Sequence, residues 1–276
     1  MQTTDSLLDL RKIRASLPGT FGLVPTMGAL HAGHGSLIER ARTECDCVGV
    51  SIFVNPSQFG PGEDFRKYPR TLETDLDLLE SLGVDLVWTP KAETVYAPGF
   101  QTWITVEEIA APLEGRCRPG HFRGVATVVA KLLNCFQPDK AYFGQKDAQQ
   151  AAVIRRLVLD LNFPVEVVVC PTVREQDGLA MSSRNAYLSP EERKAAGILY
   201  RALSAAKAEY DGGERDAEAL CATMRSVLRS EPLAEEQYIS AADPATLLEL
   251  QVIEGSVLLS LAVRIGKTRL IDNFLI

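Results

Sequence analysis

Over the first two thirds of the chain, short apolar runs alternate with longer segments of helical periodicity. The apolar runs predict buried strands at residues 20–26, 47–54, 84–90, 139–144 and 165–173. Amphipathic spacing predicts helices at residues 5–17, 34–46, 71–83, 125–136 and 146–162, with Thr71 as the cap of the third. Strands and helices of these lengths form βαβ units, so the pattern predicts an α/β fold, a Rossmann-like doubly wound parallel sheet.

The pattern changes near Val173. Ser189, followed by proline and by Glu192 three positions on, is typical of a capping box, and it opens a predicted helix that runs to residue 210. A second helix over 217–229 precedes two strands around a Gly-Lys turn in 256–276. We therefore expect a Rossmann-like domain at 1–173 and a smaller C-terminal α+β domain at 174–276. The polar segment Arg174–Gly178 is predicted to be their flexible connection.

Composition narrows the classes of partner. A net charge of −7 argues against general binding to nucleic acids or membranes, because both are polyanionic. No stretch approaches the roughly 20 apolar residues of a membrane span, and the N-terminus is amphipathic and charged, unlike a signal peptide. The six cysteines form no CxxC pair, and several lie in apolar stretches, which predicts reduced thiols and a cytoplasmic location.

Two of the three histidines lie three positions apart in "PTMGALHAGHGSL", directly after the first predicted core strand. His31 and His34 could join His121 in a zinc site, occupy a turn without further role, or line an anion cradle. Glycines allow a ligand to approach the backbone, and a helix N-terminus offers free N–H groups to a phosphate. Because nucleotides bind at this place in doubly wound sheets, the cradle is favoured. A zinc site is disfavoured, since His31 precedes the helix and no distinctive carboxylate that would orient a zinc-binding histidine is evident.

Further motifs follow in order: "SIFVNPSQF", "YPRT", "RPGHFRGV", "FGQKDAQQ" and "PTVREQDGLAMSSRN". Together with the histidine segment, they resemble the pantothenate synthetase (pantoate–β-alanine ligase) family of the nucleotidylyltransferase superfamily. The resemblance implies ATP-dependent condensation of pantoate with β-alanine through pantoyl adenylate, giving pantothenate, AMP and pyrophosphate. Another nucleotidylyltransferase, or a non-catalytic nucleotide-binding protein, remains an alternative.

The resemblance also implies site residues. The ATP-binding residues would be Met27, Gly28, Ala29, Leu30, His31, Ala32, Gly33, His34, Gly144, Gln145, Lys146, Asp147, Val173, Met181, Ser182, Ser183 and Arg184. Among them, His31, His34, Lys146 and Arg184 would act in catalysis, and Gln58 and Gln150 would bind pantoate. Many relatives have Glu in place of Gln145 and an aromatic residue in place of Ala148. The resemblance further implies ATP with Mg²⁺ as co-substrate, no protein ligand assigned to the metal, no tightly bound organic cofactor, and a homodimer through the N-terminal domain.

Overall fold

Residues 1–276 are all described by the computed structural model, in which the chain forms two compact units. The first unit contains Met1–Gly144 and Gln150–Pro171, and the second contains Gln145–Gln149 and Thr172–Ile276. A short piece of chain after residue 144 therefore belongs to the second unit, although the sequence around it belongs to the first.

The first unit is built on a six-stranded parallel sheet. Its strands are β1 (Gln2–Thr4), β2 (Phe21–Thr26), β3 (Cys47–Ile52), β4 (Leu86–Trp88), β5 (Lys140–Gly144) and β6 (Glu166–Cys170). Their spatial order is β1-β4-β3-β2-β5-β6, and every neighbouring pair is parallel. The predicted Rossmann-like sheet is confirmed. The edge strand β1 escaped prediction because its three residues are polar or exposed, and only its backbone pairing with β4 defines it.

Helices connect these strands. They are α1 (Leu7–Ser16), α2 (Ala32–Glu44), α3 (Leu72–Ser81), α4 (Ala92–Val95), α5 (Glu114–Cys117), α6 (His121–Phe136) and α7 (Ala148–Asp160), and α7 follows a 3₁₀ turn at Gln145–Asp147. Helix α6 begins four residues before its predicted start, because Gly120 adopts a φ of +84° and ends the preceding loop there. None of the helices has the length and apolar character needed to cross a membrane.

Thr71 occupies the N-cap position of α3 as predicted, but its side chain does not cap the helix. The hydroxyl instead donates a hydrogen bond of 3.1 Å to the carboxylate of Asp75, one turn further along. The prediction of a threonine cap is therefore wrong: the hydroxyl donates to the Asp75 carboxylate and accepts no hydrogen bond from a backbone N–H of the first turn.

The strand order reverses between β2 and β5. From β2 the chain proceeds through β3 and β4 on one side, whereas β5 and β6 lie on the other. Strands β2 and β5 pair directly, and their carboxyl ends are at Thr26 and Gly144. Ligands of doubly wound sheets bind outside the carboxyl ends of strands at such a switch point. The topology thus gives a physical reason to expect chemistry at the segments that follow these two strands.

The second unit packs helices α8 (Pro190–Ala196), α9 (Ile198–Asp211) and α10 (Ala217–Leu228) with an antiparallel sheet of β7 (Ala234–Ala242), β8 (Leu258–Ile265) and β9 (Thr268–Leu275). The capping box of Ser189 and Glu192 is present. The single helix predicted from it is divided at Gly197, where glycine has the lowest helix propensity after proline. Strand β7 was not predicted, because its first half is exposed and acidic.

The segment Arg174–Gly178, predicted to connect the two domains, lies inside the second unit. It forms a tight hairpin within the second unit, in which Arg174 bridges to Ala180 and Gly178 adopts a φ of +88°. The guanidinium of Arg193 pairs with the carboxylates of both Glu175 and Asp177 at 2.6 Å. These hydrogen bonds and ion pairs stabilise the hairpin within the second unit.

Candidate active site

The segment after β2 reverses direction through two consecutive left-handed residues. Gly28 has a φ of +80° and Ala29 a φ of +51°. A Cβ on Gly28 would lie 3.0 Å from Oδ2 of Asp75, so both the backbone angle and the available space favour glycine there. This turn delivers the chain to the N-terminus of α2.

Asp75 holds this turn in place by hydrogen bonds to its backbone. Its carboxylate, on α3 and only 2% exposed, accepts hydrogen bonds of 2.9 Å from the backbone N–H groups of Ala29 and Leu30. Sequence reasoning missed this residue. The available signal was an aspartate four positions before Leu79, which places both residues on the same, buried face of α3.

The two histidines cap α2. Nδ1 of His31, the N-cap residue, accepts from the backbone N–H of Gly33 at 3.1 Å, and Nδ1 of His34 accepts from the backbone N–H of His31 at 3.3 Å. The rings lie 4.2 Å apart between centroids. A nitrogen that accepts a hydrogen bond carries no proton, so each neutral ring carries its proton on Nε2. The pair can therefore present two N–H donors near a helix N-terminus, which suits a phosphate.

Gln58 approaches this segment from the loop after β3. Its side chain is 8% exposed, and Nε2 donates a hydrogen bond of 3.0 Å to the sulfur of Met27. The side-chain amide of Asn55 donates to Oε1 of Gln58 at 3.1 Å and to the carbonyl of Gly124 at 3.2 Å. A Cβ on Gly124 would lie 2.4 Å from the carbonyl oxygen of Ser57, so only glycine lets α6 approach this loop. The structure thus brings Gln58 and Met27 together, as a shared binding site requires.

Arg118 and His121, the first residue of α6, form a clamp on the backbone of Gln58. Nδ1 of His121 donates to the Gln58 carbonyl at 2.8 Å, and Nε2 of the same ring accepts from Arg118 at 3.1 Å. Arg118 in turn makes two hydrogen bonds of 2.8 Å to the carboxylate of Glu63. Because both ring nitrogens of His121 are engaged, this histidine is not placed to complete a zinc site with His31 and His34.

Burial, followed by the adjacent Arg118 charge, lowers the pKa of His121 to about 4. Burial opposes ionisation of Glu63, yet hydrogen bonds from Arg118 and its charge together hold the pKa of Glu63 below its usual value. The clamp is therefore a neutral imidazole between a cationic guanidinium and a carbonyl oxygen. Desolvation and the guanidinium both disfavour a second proton on this ring.

Two further predicted residues border β5 and α7 in the first unit. Gly144 ends β5, and a Cβ there would meet no protein atom within 4 Å, so packing of the chain itself does not demand glycine. Gln150 lies in the first turn of α7 and is half-buried. No hydrogen bond joins Gln150 to Gln58.

In the second unit, the 3₁₀ turn Gln145–Asp147 is tied to strand β9. The side chain of Asn273 donates to the carbonyls of Gln145 and Lys146 at 3.0 and 2.9 Å. Its Oδ1 accepts from Nε2 of Gln145 at 3.0 Å. The ammonium of Lys146 lies 3.7 Å from the carboxylate of Asp147. These contacts fix the backbone from which Lys146 projects.

The hairpin that contains Val173 forms the other predicted segment of the second unit. The backbone N–H of Met181 donates to the carbonyl of Val173 at 3.0 Å, which places the two residues opposite each other. Ser182 then caps a 3₁₀ turn at Ser183–Tyr187 by accepting from the N–H of Arg184 at 3.3 Å. The hairpin and the 3₁₀ turn thus form one continuous hydrogen-bonded segment that contains Val173 and residues 181–184.

Comparisons with known proteins extend over nearly the whole chain. A sequence model described as pantoate-beta-alanine ligase matches residues 2–275. The chain is 60% identical over 273 residues to the pantothenate synthetase of Roseiflexus sp. (strain RS-1), covering 99% of this chain and 98% of that protein. It is 58% identical to the pantothenate synthetase of Chloroflexus aggregans over the full length of both.

Solved structures give the same result. The crystal structure of pantothenate synthetase from Thermus thermophilus superposes with a TM-score of 0.96 at 50% identity, covering 99% of each chain. A pantoate-beta-alanine ligase from Francisella tularensis, solved in complex with beta-gamma ATP and beta-alanine, superposes with a TM-score of 0.82 at 39% identity. It covers 100% of this chain and 97% of the other. Matches over the whole chain in both sequence and structure leave one conclusion: the chain belongs to the pantoate–β-alanine ligase family.

Proposed function

We propose that the chain condenses pantoate with β-alanine at the expense of ATP, through a pantoyl adenylate, and releases pantothenate, AMP and pyrophosphate. Family membership over residues 2–275 supports the overall reaction. The observation that carries the mechanism is the pair of adjacent histidine rings, 4.2 Å apart between centroids, at the N-terminus of α2. Both rings carry their proton on Nε2, so they can donate hydrogen bonds to phosphate while the backbone holds their orientation.

In the first step, a carboxylate oxygen of pantoate attacks the α-phosphorus of ATP. The bond from the α-phosphorus to the oxygen bridging the β-phosphate breaks, and pyrophosphate leaves with the bonding electrons. Negative charge grows on phosphate oxygens, so fixed N–H donors and cations aimed at them lower the barrier. His31, His34, Lys146 and Arg184 are assigned this role, and the other predicted residues of segments 27–34, 144–147 and 181–184, together with Val173, bind the remainder of ATP.

In the second step, the neutral amine of β-alanine attacks the acyl carbon of the adenylate. The carbon–oxygen bond to AMP breaks, AMP leaves, and the amine loses a proton as the amide forms. Gln58 and Gln150 are assigned to the pantoate hydroxyls, because neutral amides can pair with hydroxyls without adding charge. A site built this way rejects analogues that lack a hydroxyl, since a buried amide would be left without a partner.

Other parts of the proposal rest on the family resemblance. Mg²⁺ accompanies ATP and is held largely by phosphate oxygens, as Mg²⁺ commonly is. The protein is a cytoplasmic homodimer that associates through the N-terminal domain, and residues 1–173 and 174–276 act as its two functional domains. Light scattering at micromolar concentrations tests the dimer, and a monomer mass at every concentration would remove it.

The proposed reaction is tested by incubating the protein with ATP, Mg²⁺, pantoate and β-alanine and identifying every product. We expect pantothenate, AMP and pyrophosphate in equal amounts. Without β-alanine, we expect labelled pyrophosphate to exchange into ATP in a pantoate-dependent manner, because only the first step can then run. Gln58→Ala is expected to weaken pantoate binding more than ATP binding.

Each alternative predicts a different result. ADP and inorganic phosphate as primary products would exclude an adenylate intermediate. A product that retains the nucleotide would identify another nucleotidylyltransferase. Nucleotide binding without turnover of any substrate mixture would identify a non-catalytic protein.

A further inference from the structure

Strand β9 is connected to two segments that the sequence places far from it. The side chain of Asn273 makes three hydrogen bonds to the Gln145–Asp147 turn, two donated to carbonyls and one accepted from Gln145. Asn273 is 4% exposed. The separations along the chain are 127 and 128 residues.

The neighbouring residue anchors β9 to the Val173 hairpin. The carboxylate of Asp272 receives two hydrogen bonds from Arg174, at 2.6 and 2.9 Å. The same guanidinium lies near the rings of Tyr200 and Phe274, with its central carbon 5.0 Å from each ring centre. A planar guanidinium held by a carboxylate and by two rings has little freedom. Asn273 therefore extends from a strand whose own position is fixed.

We propose that Asn273 is a positioning residue for adenylation, which holds the backbone of the turn so that Lys146 is presented to the phosphates of ATP. This inference rests on the proposed function, because it assigns Lys146 to ATP. Loss of the amide would leave two carbonyls without their donors and allow the turn to sample other conformations. The ammonium of Lys146 would then spend less time in the orientation that the transition state requires.

The sheet itself does not require an amide at this position. Asn273 pairs in register with Ser260 of β8, which pairs in turn with Ser240 of β7. The hydroxyls of both serines are buried and have no hydrogen-bond partner. Small side chains without polar partners are thus accommodated across this row. The polar contacts of Asn273 serve the turn and not the strand pairing.

The test compares Asn273→Ala with Ser260→Ala, a matched change in the paired position of the adjacent strand. Pantoate-dependent exchange of pyrophosphate into ATP gives kcat and the KM of each substrate. For Asn273→Ala we expect a rise of roughly tenfold in the KM for ATP and a several-fold lower kcat, with the KM for pantoate changed by less than about twofold. Ser260→Ala should match the native chain. If Asn273→Ala does not fold, the same measurements are made on Asn273→Ser, because serine is the residue already present at the paired positions 260 and 240.

A second readout separates positioning from general damage. In a Lys146→Ala background, Asn273→Ala should lower exchange by less than about twofold, because the group that it positions is already absent. An Asn273→Ala effect of equal size in both backgrounds, or an ATP KM no different from that of Ser260→Ala, would overturn the inference.

Failure of the proposed function is recognised separately. A native chain that shows no pantoate-dependent exchange would refute the adenylation reaction itself. ATP binding measured by calorimetry would still report on Asn273: weaker binding in Asn273→Ala than in Ser260→Ala supports the positioning role, and equal binding opposes it. A native chain that binds no ATP overturns both.

Discussion

Acidification should destabilise the first unit through His121. The ring is neutral in the folded protein because burial and the Arg118 guanidinium lower its pKa to about 4, whereas in the unfolded chain its pKa is the ordinary 6.5. Between these values the unfolded chain binds a proton and the folded protein does not. The stability that depends on a neutral His121 is therefore complete above pH 6.5 and is lost as the pH falls towards 4.

The magnitude follows from the two pKa values. A difference of about 2.5 pKa units corresponds to about 3.5 kcal/mol, since one unit is about 1.4 kcal/mol. Most of this cost has accumulated by about pH 4, and at pH 5 it is about 2 kcal/mol. The matched variant is His121→Asn, whose side-chain amide retains a donor for the carbonyl of Gln58 but does not titrate in this range.

The assay is urea unfolding of the native chain and of His121→Asn at pH values between about 4 and 7, followed by tryptophan fluorescence. Both tryptophans, Trp88 and Trp103, belong to the unit that contains His121, so the signal reports on the relevant structure. Other carboxylates, including Glu63, titrate in both proteins and largely cancel in the difference between them. We expect the native chain to lose about 2 kcal/mol more than the variant between pH 7 and pH 5. Parallel stability curves for the two proteins would refute the reasoning.

Three further changes test the site. His34→Ala should raise the barrier of pantoate-dependent pyrophosphate exchange by about 2.7–4 kcal/mol, as loss of one oxyanion donor does, while the unfolding midpoint falls only slightly; early unfolding with unchanged exchange would contradict this. Asp75→Asn should destabilise the protein by about 1–3 kcal/mol and raise the KM for ATP, because the amide NH₂ would face a backbone N–H donor of the turn. The control Asp77→Asn, on the exposed face of the same helix, should change neither quantity. Gly124→Ala would stabilise an ordinary helix by roughly 0.5–1 kcal/mol. Here it should destabilise the protein and raise the KM for pantoate, because the new methyl group displaces the turn that carries Gln58. A higher unfolding midpoint would contradict this, since it would mean that the turn moves at no cost in free energy.

The sequence predicted those elements whose own residues carry a strong pattern. The apolar, β-branched run that forms β3 and the apolar face of α6 are examples, and both elements overlap their predicted ranges, although α6 begins four residues early. Strand β7 was missed because its first residues are exposed and acidic, and its pairing with β8 lies outside any local pattern. The hairpin at Arg174–Gly178 was mistaken for a linker, because polar composition does not reveal that Arg193 pairs with its acidic side chains.

The same distinction applies to the site. His31 and His34 could be singled out because glycines surround them and a strand precedes them. Asp75 and Asn273 were missed, since the sequence does not show which groups their side chains would hydrogen-bond. Their roles arise from partners 45–46 and 127–128 residues away along the chain, and only the folded structure brings these together.

These two separations also have a consequence for how the protein matures. The turn at Gly28–Leu30 can reach its final form once α3, which ends at Ser81, has docked. The turn at Gln145–Asp147 must wait for β9, at the far end of the chain. Closing the longer loop costs more entropy, and ribosomal synthesis supplies its partner later. A growing chain would therefore complete the histidine segment well before it could hold Lys146 in place, so competence for catalysis would be gained near the end of folding.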